Sequence, residues 1–134
     1  MFKLTKKVEY GLIAVKHIAA QGKKGPCSAK EISKKYKIPY DLLSKVLQTL
    51  KNDNILASVQ GIKGGYTLSK KAGNIRLSTI FNSIEGTNYI LDCGLHKDPN
   101  ACKLFKTCTI NHPLQKIQRS IFEYFNKTKL SEIV

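Results

Sequence analysis

Three of the chain's four cysteines fall in one stretch, Cys93-x8-Cys102-x5-Cys108, with His112 just beyond, among residues that favour turns. Thiolates bind iron and zinc strongly, and a segment with few large apolar side chains can be held in one shape by a metal at its centre. Two other fates compete. Structural disulfides belong mostly to secreted chains, yet Lys3, Lys6, Lys7 and Lys16 interrupt every early apolar run, so the N-terminus lacks a signal-peptide layout. Burial as unrelated thiols is common for cysteine, but a hydrophilic stretch is an odd place for three of them. Cys93, Cys102 and Cys108 therefore read as metal ligands, and Cys27, alone before a helix, as a bystander. With His112 the set also has the spacing of a CCCH zinc finger that binds single-stranded RNA. Such a finger would close a tetrahedral zinc site and leave Phe105 or Tyr89 to stack on bases.

An enzyme is not expected. There is no glycine-rich phosphate loop followed by Lys-Ser or Lys-Thr, and no paired carboxylates in an apolar run. Cys108 near His112 is the one arrangement that resembles a thiol dyad.

The charge distribution points to a polyanion. Of the formal +14, residues 1–76 hold 16 Lys and Arg against 4 acids, whereas the remainder is nearly neutral. Each phosphate that such a surface neutralises releases counterions, so double-stranded nucleic acid is the natural partner. The cysteine stretch itself is near neutral, whereas RNA-binding fingers normally carry their own cations. At 134 residues the chain makes one domain with an appendage, and no run approaches the roughly 20 apolar residues of a membrane span. The expectation is a cytoplasmic protein with no membrane partner.

The elements that must position these groups follow from apolar periodicity. Leu4, Val8, Leu12, Val15 and Ile18 recur at helical steps and predict a first helix, ended by Gly22 and Gly25-Pro26. Ser28-Ala29-Lys30-Glu31 is a capping-box pattern opening a short helix to about Tyr36. After Ile38-Pro39, the apolar set Leu42, Leu43, Val46, Leu47 and Leu50 predicts a third helix, with Asp41, Ser44, Lys45, Gln48 and Lys51 facing outward. Residues 55–59 and 66–68 are β-prone and joined by Gln60-Gly61-Ile62-Lys63-Gly64-Gly65, which predicts a hairpin with a basic, glycine-rich tip. Helix, helix, turn, helix and basic hairpin is the order of a winged helix-turn-helix. The predicted fold is mainly α with a small β-wing: residues 1–77 form the DNA-binding domain, and residues 78–134 carry the cysteine stretch and a dimerisation helix.

On this reading Ser28, Tyr40, Ser44, Lys45, Gln48, Lys51, Gln60, Lys63, Gly64 and Gly65 are the DNA-contacting candidates. Beyond the wing, Ser78 is expected to cap a helix containing Ile80, Phe81 and Ile84, with Gly86 as its left-handed terminator. Pro113 suits the first turn of a last helix whose stripe is Leu114, Ile117, Ile121 and Tyr124. That stripe needs a cover, either the chain's own first helix or the same helix of a second copy. Two winged helices on two half-sites read DNA better than one, which favours a homodimer.

Three segments together resemble the IscR, NsrR and RirA regulators. These are Lys3-Leu4-Thr5-x5-Gly11-Leu12, the turn and helix from Ile38 through Leu50, and the wing Val59-Gln60-Gly61-Ile62-Lys63-Gly64-Gly65-Tyr66-Thr67-Leu68. The resemblance implies a homodimeric bacterial winged-helix transcription factor that senses redox state, nitric oxide, iron or cluster supply. Its iron-sulfur cluster, 2Fe-2S or 4Fe-4S, would be held by Cys93, Cys102 and Cys108. It further implies a fourth ligand. His112 follows the third cysteine after three residues where IscR-like members have two, while Glu9 stands where NsrR-like members place a first-helix carboxylate donated by the partner subunit. His96 is a third candidate. Two departures bear on the operator: Ser44-Lys45 replaces Glu-Gln in the recognition helix, and Gln60 replaces an arginine that enters the minor groove. A metal-independent regulator of the same fold is the remaining alternative.

Overall fold

The computed structural model describes residues 3–86, 100 and 102–134. Helix α1 (Lys6–Gln21) starts where the Thr5 hydroxyl accepts the Val8 N–H, and stops where Gly22, at φ 50°, turns its N–H back to the Ile18 carbonyl. Its buried face is Val8, Gly11, Ala14, Val15 and Ile18. Leu4, expected to open that stripe, precedes the helix and is exposed. Helix α2 (Ala29–Tyr36) begins at Ser28, whose hydroxyl accepts the Glu31 N–H at 3.1 Å, as the capping pattern predicts. Lys37 ends it in the left-handed region at φ 54°. Helix α3 (Tyr40–Asn52) then runs across α1 and α2 and buries Leu43, Val46, Leu47 and Leu50. Helix, turn and helix are thus in place.

Strands β1 (Leu56–Val59) and β2 (Gly65–Leu68) pair antiparallel from Leu56 opposite Leu68 to Val59 opposite Gly65. A two-stranded hairpin is marginal alone. Here it has a third, one-residue strand: Cys27 donates its N–H to the Tyr66 carbonyl at 3.0 Å and accepts the Tyr66 N–H at 2.8 Å. Cys27 itself is wholly buried in the core. The cysteine read as a bystander is thus the point that stitches the wing to the helices.

Helix α4 (Leu77–Glu85) packs on α1 and α3, and α5 (Asn111–Lys127) packs on α4. Two local expectations change here. Ser78 is not the cap, since α4 begins one residue earlier; its buried hydroxyl instead donates to Asn126 Oδ1 of α5 at 3.0 Å. Gly86 does end α4 with positive φ, 71°, but its ψ of −143° lies outside the left-handed helical region.

After α5 the chain returns. Leu77 donates to the Thr128 carbonyl and Leu130 to that of Ile75, and Leu130 is wholly buried alongside Ile75, Leu77 and Ile80. One continuous core therefore spans the expected boundary at residue 77. The stripe on α5 is a different case. No residue of that helix is buried, Ile117 and Tyr124 are exposed, and Phe125 is its one partly buried apolar residue packed on the core, stacked at 4.7 Å on Phe81.

His17 on α1 is buried with its Nδ1 3.0 Å from the Tyr36 hydroxyl, while Nε2 is buried without a partner. Burial, and next the charge of Lys35, push its pKa below the ordinary value, with Glu31 opposing. The folded chain thus prefers neutral imidazole, and the unfolded chain takes up the extra proton. Stability is complete above the unfolded-state pKa and declines as pH falls below about 6.5. His17→Phe should flatten this acid-side fall in melting temperature, measured by circular dichroism across that range.

A candidate DNA-reading face and thiol segment

The exposed row of α3 consists of Asp41, Lys45 and Gln48, with Tyr40 at the helix start and Lys51 half-buried at its end. Ser44, expected on the same row, is different: its Oγ is cut off from solvent and has no hydrogen-bond partner. Its position beside Leu43 and Leu47 turns it to the edge of the apolar stripe. Of the contacts predicted on this helix, Tyr40, Lys45 and Gln48 are exposed.

The wing adjoins this row at its base. Tyr66 of β2 is held by the Cys27 bridge, next to Ser28 at the start of α2. Burial raises the Tyr66 phenol pKa, and the charge of Tyr40 raises it further. Ser28 is half-buried and its hydroxyl serves the Glu31 N–H. Gln60 and Lys63 stand exposed at the tip, with Gly64 and Gly65 half-buried behind them.

Gly65 is required by contact and conformation together. It sits at φ 155°, and a Cβ there would lie 2.4 Å from the Cys27 carbonyl carbon and 2.7 Å from the Ser28 nitrogen. Backbone cannot yield as a side chain does. No residue but glycine lets β2 come this close to the start of α2.

Of the proposed metal donors, Cys93 and His96 lie outside the described residues. Cys102 and Cys108 are free, half-buried thiols bracketing a turn in which Phe105 donates to the Cys102 carbonyl at 3.2 Å and Thr107 to that of Leu104 at 3.0 Å. His112 is exposed in the first turn of α5. Glu9 is in the first turn of α1, where Lys6 Nζ donates to its carboxylate at 2.7 Å and is held above the usual lysine pKa by that bond and charge. Among the described residues, no three of the His, Cys, Asp and Glu side chains converge as a metal site requires.

Glu85, the last residue of α4, accepts a short hydrogen bond from the Thr5 hydroxyl at the N-terminus of α1. The end of α4 is thereby held at the N-terminus of α1.

A profile of the Rrf2 family, described as an iron-dependent transcriptional regulator, matches residues 4–134. The chain belongs to this family. The HTH-type transcriptional regulator NsrR of Oceanobacillus iheyensis is 24% identical over 131 residues, which span 98% of this chain and 88% of that protein. The fold matches that of CymR, the global cysteine regulator of B. subtilis, with a TM-score of 0.74 and 24% identity over 99% of this chain and 96% of CymR. IscR of T. potens gives the same TM-score at 22% identity, covering 98% of this chain and 85% of that one. The winged-helix architecture expected from the sequence is that of its structural relatives. Family membership makes this chain a transcriptional regulator, and enzymatic activity is not what its relatives are named for. Among the described residues, no helix is long and apolar enough to cross a membrane.

The Gly65 contact makes a specific demand on stability. Gly65→Ala should cost about 2 kcal/mol or more, measured by urea unfolding. Gly61→Ala shares positive φ, at 117°, but meets no atom within 4 Å, so it should cost less. Equal losses would show that close approach plays no part.

Proposed function

We propose that the chain is a cytoplasmic, homodimeric regulator that binds double-stranded DNA through α3 and the wing and responds to an iron-sulfur cluster held by Cys93, Cys102 and Cys108. The observation that carries this reading is the pair of free thiols, Cys102 and Cys108, leading directly into a helix on which Ile117 and Tyr124 stand exposed. Thiolate donors with solvent access and no disulfide partner suit iron-sulfur ligation. Bound there, the group would supply a centre whose integrity depends on oxidants, nitric oxide and iron supply.

The rest falls to the chain's own residues. The fourth ligand would be His112, exposed in the first turn of α5, or the Glu9 carboxylate, in the first turn of α1. In a dimer that carboxylate would come from the partner copy. Serving as a ligand, Glu9 would have to exchange its bond to Lys6. The α5 stripe, with Ile117 51% and Tyr124 69% exposed, supplies the apolar surface for a second copy. Lys45 and Gln48 would address base edges, while Lys63 would address phosphate.

Anaerobically purified protein should be brown and contain iron and acid-labile sulfide, and Cys102→Ala should remove the visible absorbance. A colourless protein with one zinc per chain would replace this reading by the structural-zinc one; absence of any metal after reconstitution would leave a metal-independent regulator.

On DNA selected by the wild-type protein, Lys45→Ala and Gln48→Ala should each weaken binding by about 1 to 3 kcal/mol. Lys63→Ala should mainly lower the salt dependence, by about one unit of log–log slope. Unchanged binding by all three variants, measured by fluorescence anisotropy, would remove α3 and the wing as the reading face.

A further inference from the structure

The wing tip presents an apolar side chain with no role in the fold. Ile62 has a relative exposure of 106%, fully open to solvent on every side. Of the other large apolar residues at least half exposed among the described residues, Leu104, Ile110, Ile117 and Tyr124 lie in the thiol segment or on α5, where a second copy would cover them, and Tyr40 opens α3. Ile62 lies in the opposite half of the sequence, at the end of a hairpin.

The tip is also built to hold that residue out. Gly64 donates its N–H to the Gly61 carbonyl at 3.0 Å, closing a four-residue turn with Ile62 and Lys63 at its two central positions. Gly61 is at φ 117°, and a Cβ on Gly64 would lie 2.3 Å from the Val59 carbonyl oxygen. The turn is therefore tight, and larger residues are kept from both of its ends. Behind it, the Cys27–Tyr66 pairing fixes the hairpin to the body. A narrow, anchored projection ending in one branched apolar side chain next to one cation has the shape and chemistry of a wedge.

We propose that Ile62 is a specificity-determining residue that enters the DNA minor groove and packs against a base step, with Lys63 beside it on the phosphates. This rests on the DNA-binding reading above. The surrounding half of the chain, with 16 basic and 4 acidic residues, draws the tip to a polyanion, while Ile62 itself can gain only from apolar contact. The walls and base edges of the minor groove offer that contact, and branched apolar side chains are known to wedge there and unstack the step. Pyrimidine–purine TA steps open most readily. Ile62 would thus select by deformability, not by hydrogen bonds.

The test uses the full chain and two duplexes of about 30 base pairs, one of alternating TA and one of alternating GC sequence. Wild-type protein should prefer the TA duplex. Ile62→Ala should lose roughly 10-fold in affinity on it, little on the GC duplex, and leave the salt slope of both unchanged. Ile62→Leu should retain most of the preference. Ile62→Ala behaving as wild type on both duplexes, or losing equally on both, overturns the wedge while leaving DNA binding intact. Wild-type protein that binds neither duplex at low salt overturns the DNA-binding reading itself and the wedge with it.

Discussion

At Gly11 one face of α1 meets α3 and α4 together, and this close approach positions both helices. A Cβ at Gly11 would stand 2.4 Å from Ile84 Cδ1 and 3.1 Å from Val46 Cγ1, so the absence of a side chain there lets one helix wall serve two neighbours. Val8, Ala14, Val15 and Ile18 continue that wall. The recognition helix leans on it through Val46, the helix leading to the cysteines through Ile84, and strand β2 contacts it as well. A larger residue at position 11 would first push aside the Cδ1 methyl at the free end of the half-buried Ile84 side chain and then press on buried Val46.

The elements written in short-range pattern were legible before any coordinates. The apolar steps of α1 and α3, the Ser28 cap and the glycine-rich wing each state their structure within a dozen residues, and the structure places them in the expected order. What sequence left unread depends on partners distant along the chain. Cys27 looked incidental because its role is to exchange backbone hydrogen bonds with Tyr66, and no local periodicity marks a one-residue strand. The signal available was indirect: two adjacent glycines, Gly64 and Gly65, ask what comes close to them. The return of Leu130 into the core has only an alternation of apolar and polar residues over a few positions to announce it. Ser44 and Ser78 were misread for a related reason. A serine at the margin of an apolar stripe is assigned by a few degrees of helix rotation, and the rotation is fixed by packing.

The candidate site divides along the same line. Residue type and helical spacing sufficed to predict that Lys45 and Gln48 stand exposed on α3, whereas an apolar residue in a loop, such as Ile62, carries no pattern. Its thiol half was found from residue type alone. Cys102 and Cys108 are free, as ligation needs, but how donors from distant segments meet is a question of tertiary and quaternary arrangement that spacing cannot answer.

Helix α4 links the two halves mechanically. At its C-terminal end Glu85 is bonded to Thr5 and Ser83 donates to Asp53 at 2.6 Å, so it is tied to α1 and to the end of the recognition helix. Along its length Phe81 stacks on Phe125, and near its start Ser78 reaches Asn126, so it is tied also to α5. An element clamped this way can move only by moving its neighbours. Any ordering of the segment between α4 and α5 therefore acts on a helix that already touches the start of α1 and the end of α3. A regulatory coupling of about 1 to 3 kcal/mol corresponds to one or two such polar contacts made in one state and lost in the other. The Thr5–Glu85 and Ser83–Asp53 bonds are exposed enough to exchange with water, whereas the Phe81–Phe125 packing and the Leu130 anchor are not. Adjustment of α4 is thus cheapest at its C-terminal end, where hydrogen bonds instead of core hold it.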